Sequence, residues 1–130
     1  MEFERLESFV RLLKKTAPGL RQAFEFRNPS WFMPEVYDLL READMTFCYA
    51  DWPQGLSELP DDFPYLYIRR HGPAGQAYRG SYSEKHLAEL AQSLKNWRGQ
   101  AKDVYVYFNN DLGGHAPRNA LRLKELLGRA

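Results

Sequence analysis

Residues 65–72 read Tyr-Leu-Tyr-Ile-Arg-Arg-His-Gly, and residues 104–109 repeat the theme as Val-Tyr-Val-Tyr-Phe-Asn. Aromatic and β-branched residues alternate through both runs, which marks them as strands. In each, one parity stays apolar: Leu66 and Ile68, then Val104, Val106 and Phe108. The other parity passes from tyrosine to a polar end: Tyr65, Tyr67, Arg69 and His71, then Tyr105, Tyr107 and Asn109. The apolar parity is expected to pack against helices. The other is expected to face an interior that is aromatic below and charged at the carboxyl edge.

Two further runs extend the pattern. Residues 22–26 direct Ala23, Glu25 and Arg27 to the interior, and residues 46–50 direct Phe47, Tyr49 and Asp51 there. On this reading Cys48 lies with the helix-facing parity and is a core residue rather than a nucleophile. Helical stripes separate the strands. Phe3, Leu6, Val10 and Leu13 fall on one face of residues 2–16, which Pro18-Gly19 stops. Pro34 opens a helix to about Ala43, and Ser83 caps one ending near Gly99 with Leu87, Leu90, Ala91, Leu94 and Trp97 on its apolar face. Pro117 opens the last helix and Gly128 ends it. Residues 51–64, with Pro53, Gly55, Pro60 and Pro64, read as a loop with at most one helical turn, and 71–83 as a second long loop. The order α-β-α-β-loop-β-α-β-α predicts an α/β fold with four parallel strands and outer helices. The 51–64 stretch is just long enough to cross between parallel strands.

The chain has 130 residues, 44% hydrophobic and 27% charged, which suits one domain and excludes long disorder. No apolar run approaches the ~20 residues that span a bilayer, so no membrane role is expected. The start, Met1-Glu2-Phe3-Glu4-Arg5, lacks the basic and apolar regions of a secretion signal. A single cysteine cannot form an internal disulfide, so a reducing, cytoplasmic setting is expected. The net charge of +1 excludes the overall basic footprint of most nucleic-acid-binding proteins. From Lys95 onward, seven Lys/Arg outweigh three Asp/Glu, a mild asymmetry that a solvated helix face accounts for.

Four segments, in order, resemble one family. Glu25-Phe26-Arg27-Asn28-Pro29-Ser30-Trp31 is similar to the E-F-R-H-P-S-W segment of the YecE-like family, domain of unknown function 72. Tyr67-Ile68-Arg69-Arg70-His71-Gly72 resembles its Y-x-R-x-H-G motif, and Tyr78-Arg79-Gly80-Ser81-Tyr82-Ser83 its Y-x-G-x-Y-S/D segment. Residues 105–111, Tyr-Val-Tyr-Phe-Asn-Asn-Asp, resemble its closing Y-x-Y-F-N-N-D. Asp51 stands where the family has an aspartate after a strand. The resemblance implies a TIM-barrel-like (β/α) fold of roughly twice this length, of which this chain matches the C-terminal half. A half barrel exposes aromatic interior and two edges. It therefore implies a homodimer, a partner chain supplying the missing half, or a truncated gene. The family brings no established activity.

The carboxyl edge of a parallel sheet is where ligands bind. Its candidates are Glu25, His71 and Asp51 as catalytic groups, with Arg27, Arg69, Tyr82, Asn109, Asn110 and Asp111 as substrate contacts. Each has a plainer reading: Glu25 and Arg27 as an ion pair locking the rim, His71 as a satisfied structural histidine, Asn109-Asn110-Asp111 as a turn. Arg27 and Arg69 suit a phosphate or carboxylate. Glu25 or His71 suits acid–base work. Asp51 and Asp111 with Glu25 and His71 would suit a divalent cation, although no metal-ligand spacing supports one. No G-x-S-x-G or Walker element is present. Trp52 has the best claim among the tryptophans to line a pocket, and Tyr78 and Tyr82 lie in a loop long enough to be a lid. The expectation is an enzyme or enzyme remnant binding an anionic small molecule. The alternatives are a nucleic-acid-binding or -processing module and a non-catalytic assembly protein.

Overall fold

The computed structural model describes residues 2–52, 55–56, 62–73, 78–100 and 102–128, with the backbone alone at 52, 55 and 56. Helix α1 (Phe3–Thr16) leads into β1 (Ala23–Phe24), a 3-10 turn (Pro29–Trp31) and α2 (Pro34–Glu42). Strand β2 (Thr46–Trp52) folds back as β3 (Gly55–Leu56). Then come β4 (Leu66–Arg70), α3 (Glu84–Gly99), β5 (Val104–Phe108) and α4 (His115–Leu126). The sheet order is β1-β2-β4-β5, all parallel, and β3 pairs with β2 antiparallel. Four parallel strands backed by helices make the expected half barrel.

Start and stop signals act where their chemistry allows. The Ser83 side chain accepts from the His86 N–H and caps α3. Pro34 sits at the first position of α2, where its missing N–H costs nothing. Helix α4 starts at His115, two residues before the expected Pro117, which places that proline inside the first turn. Gly114, at φ 74°, makes the left-handed entry to α4 that a side chain would resist.

Three expectations need correction. Residues 51–64 are not simply a loop, because β2 runs on to Trp52 and pairs back on Gly55–Leu56. Residues 53–54 and 57–61 of this stretch lie outside the described residues, and with them the helical turn expected within 51–64. Strand β1 is also shorter than residues 22–26, holding only the pairs Ala23–Thr46 and Phe24–Phe47.

The third correction reverses the facing of β2. Cys48 pairs with Tyr67 and Ala50 with Arg69, so these residues share the concave inner face. Phe47, fully buried, packs instead with Val36 and Leu40 of α2, and Tyr49 meets Trp97 of α3 at 6.0 Å between ring centroids. Bulk decides this. The helix side has room for large rings, while the concave side of a strand flanked by tyrosines has room only for Thr46, Cys48 and Ala50.

Two apolar cores follow. One joins Leu6 and Val10 of α1, Val36 and Leu40 of α2, Phe47 and Phe63. The other joins Ile68 to Leu90, Ala91 and Leu94 of α3 and Leu123 of α4. Between them the cores back β2, β4 and β5 from the helix side.

Candidate functional site

Three strands deliver one ionic cluster to the concave side of the carboxyl edge. The Glu25 carboxylate, just past β1, accepts from Arg69 Nη1 at 2.6 Å and lies 3.1 Å from His71 Nε2. Arg69 Nε reaches Asn109 Oδ1 at 3.3 Å, and Cys48 Sγ lies 3.8 Å from Glu25 Oε2. The His71 side chain is wholly buried, Glu25 is 14% exposed and Arg69 is 31% exposed. The cluster thus passes from a buried imidazole to a guanidinium at the mouth of a hollow of about 430 Å³. That hollow is lined by Glu25, Cys48, Arg69 and the tyrosines 65, 67, 105 and 107.

Burial holds the His71 pKa below its ordinary value, and the Glu25 carboxylate opposes that shift without cancelling it. The imidazole is therefore neutral at pH 7. An ionised carboxylate only accepts, so the proton between the pair belongs on Nε2. For Arg69, burial works against the charge, but the hydrogen bond and proximity of Glu25 outweigh it and raise the guanidinium further. Burial, aided by the neighbouring carboxylate, pushes the Cys48 thiol up to about 12.

A second polar cluster lies on the helix side of the same strand ends. Asp51 Oδ1 accepts from the His71 backbone N–H, and Oδ2 accepts from the Tyr82 hydroxyl. That hydroxyl accepts in turn from the Gly72 N–H at 2.8 Å, and Arg70 Nη1 stands 3.8 Å from Asp51. Asn119 of α4 accepts from the Tyr82 N–H at 3.1 Å and from Asn110 Nδ2 at 2.8 Å, and donates to Ser81 Oγ at 3.1 Å. Asn110 Nδ2 also donates to the Gly80 carbonyl. Burial, then the Asp51 hydrogen bond, pushes the Tyr82 hydroxyl above its usual range. His71 joins the clusters, its ring facing Glu25 and its amide facing Asp51.

The expected site residues therefore separate. Glu25, Arg69, His71 and Asn109 come together. Asp51, Tyr82 and Asn110 form the other network, which ties loop 78–83 to the strand ends. Arg27 is exposed beyond β1, and Asp111 is exposed in the turn whose carbonyl accepts from the Gly114 N–H. Among the described residues no three of His, Cys, Asp and Glu gather as a cation site would need. Asp51 and Asp111 do not join Glu25 and His71. In the expected lid, Tyr82 is held and 8% exposed, while Tyr78 is 45% exposed and sets its ring edge-on to His71 at 5.6 Å. The side chain of Trp52 lies outside the described residues. Sequence reasoning did not single out Asn119 as a functional or structural partner. Its signal was present, since an asparagine on the stripe of Ala116, Ala120 and Leu123 is a polar group turned to the interior.

Fold and edge together define a (β/α) half barrel with a charged carboxyl rim. The chain belongs to the family described as Protein of unknown function DUF72, which it matches over residues 1–130. It is 28% identical over 144 residues to UPF0759 protein YunF of Bacillus subtilis (strain 168), covering 92% of this chain and 51% of that one. A DUF72 family protein of Thermotoga maritima MSB8 superposes with a TM-score of 0.79 at 32% identity, covering 95% of this chain and 52% of that one. A DUF72 family protein of Enterococcus faecalis V583 superposes with a TM-score of 0.81 at 24% identity, covering 98% and 54%. The chain thus spans about half the length of these relatives. Among the described residues no helix is long and apolar enough to cross a membrane.

Proposed function

We propose that the concave rim binds a small anionic molecule, such as a phosphate ester, with Arg69 as the anion contact and Glu25 as the acid–base group. The observation that carries this is a carboxylate held at 2.6 Å by an arginine and at 3.1 Å by a buried, neutral histidine, at the mouth of a hollow. The Glu25 carboxylate, fixed by Arg69 and His71 at the mouth of the hollow, is placed to take a proton from a substrate hydroxyl. The neutral imidazole behind it donates Nε2–H and fixes the carboxylate's direction. Asp51 acts one step back, as a positioning residue, because it holds the His71 amide on the side away from the ligand. Arg27 is a further anion contact at the open edge. We place the protein in a reducing, cytoplasmic setting, since its single cysteine has no disulfide partner in the chain.

Nucleic acid is the weaker reading. Arg98, Lys102 and Lys124 line a hollow below the start of β5, at the end of the sheet away from the rim. One strand of nucleic acid would have to span both ends to use them together with Arg69.

The test is calorimetric titration of the full chain with inorganic phosphate and with a sugar phosphate, at two salt concentrations. Saturable binding that is lost in Arg69→Ala, with circular dichroism unchanged, is the expected result. Undiminished binding in Arg69→Ala refutes the assignment. Affinity for an oligonucleotide that falls steeply with salt would favour the other reading.

A further inference from the structure

The exposed apolar surface of this chain is not scattered. Phe9, Leu12 and Leu20 lie in the first unit, on α1 and the turn to β1. Tyr105, Tyr107 and Leu121 lie in the last, on β5 and α4, and Leu112 joins them in the turn between. Of the large exposed apolar side chains among the described residues, only Tyr78 lies elsewhere. The two ends also carry the two edge strands, because β1 pairs only with β2 and β5 only with β4 in the ladder described. Grooves flank both ends. One, of about 600 Å³, runs beside Leu6, Phe9, Phe24, Phe26 and Trp31, and the other, of about 710 Å³, lies over the outer face of β5.

We infer that these ends are one interface, closed by a second copy of this chain. The β5 edge of each copy meets the β1 edge of the other. All four main strands point the same way, so both junctions are parallel pairs and the ring closes after two copies. The result has eight strands, the number at which side chains fill a barrel interior. A head-to-tail contact that closes in this way also leaves no free edge to seed filaments.

The ends match in detail. At each junction α1 of one copy comes beside α4 of the other, and both helices run from the carboxyl to the amino end of the strands. Exposed Phe9 and Leu12 then face Leu121. Most charged groups on the first turns of these helices are already paired within the copy, Glu2 with Arg5, Glu7 with Arg11 and Arg122 with Glu84 and Glu125, so the apolar side chains carry the junction. The second copy would also cover Tyr105 and Tyr107, 37% and 48% exposed, and close the hollow that holds Glu25 and Arg69. The relatives it resembles are about twice as long, and this chain matches about half of each.

The experiment is light scattering of the full chain at micromolar concentration, with the Leu12→Glu and Leu121→Glu variants beside it. Both sites are more than half exposed, so the fold should survive substitution, and circular dichroism checks it. The expected result is a native mass of about twice 15.2 kDa that falls to the single-chain value in both variants. A single-chain mass for the unmodified protein overturns the inference. So does a dimer that neither substitution weakens, and so does a chain that pairs only with a separately made other half of a DUF72 barrel. Arg69→Ala should leave the mass unchanged, which separates this inference from the rim assignment.

Discussion

The two sides of the strand ends treat charge differently. On the helix side, each Asp51 oxygen has a donor from the chain, Tyr82 is bound at both its hydroxyl and its amide, and Asn119 spends its oxygen and nitrogen on three partners. Most of its polar atoms are thus committed to one another, although the buried Asn110 Oδ1 and Arg70 Nε have no hydrogen-bond partner among the described residues. On the hollow side, the Glu25–Arg69–His71 group is equally ionic but graded, from a wholly buried imidazole to a guanidinium 31% exposed. A network bonded mostly within itself holds a shape, and a graded one presents a face. The difference separates residues that look alike in sequence, because Asp51 and Glu25 are both carboxylates just past the parallel pairing of a strand.

The sharpest way to break the comparison is Asp51→Ala. It removes the acceptor for two donors from a site where the aspartate side chain is only 12% exposed. The His71 amide and the Tyr82 hydroxyl would be stranded beside Arg70. A loss of about 3 kcal/mol is expected, read from the midpoint of denaturant unfolding. A loss no larger than that of an exposed surface substitution would show that the helix-side cluster is not the structural one.

The sequence made much of this legible. Residues 104–108 form β5 as read, and Ser83 caps α3, because alternation and capping are local signals that tertiary packing did not override. The meeting of Glu25, Arg69, His71 and Asn109 was legible too, since all four share one parity at strand ends. Asp51 was not, because both parities of β2 are apolar. Nothing in Phe47-Cys48-Tyr49-Ala50 says which side is out until the bulk of the neighbouring tyrosines is known. A strand between two partners loses the polar face that phases an edge strand. Asn110 and Asn119 meet across a loop and a helix, a distance that no spacing rule covers.

A middle-sized effect tests the hollow side through pH. The folded His71 has a depressed pKa, so it binds its proton less readily than the unfolded chain does. The stability it contributes is complete above the ordinary histidine value of 6.5 and is lost as pH falls below it. Unfolding midpoints between pH 8 and pH 5 should therefore decline, and His71→Asn should flatten the decline within that window. Glu25→Gln should steepen it, because the carboxylate is what favours the protonated ring. A decline unchanged in both variants would separate His71 from the cluster.

The smallest expected effect belongs to Cys48, which faces the hollow yet is 2% exposed. Its reactive form is the thiolate, and a thiol pushed up to about 12 by burial and by Glu25 holds very little of it at pH 8. Alkylation of the native protein should run on the order of a thousandfold slower than that of the unfolded chain, whose thiol has a pKa near the free value of about 8.5. Glu25→Gln should relieve only the charge part of the shift, leaving the larger burial part, so labelling should quicken only slightly. Fast labelling of the unmodified protein would mean that the concave face between β1 and β4 opens to solvent far more than the graded arrangement of Glu25, Arg69 and His71 allows. The contrast between the two sides of the sheet would then rest on the helix-side network alone.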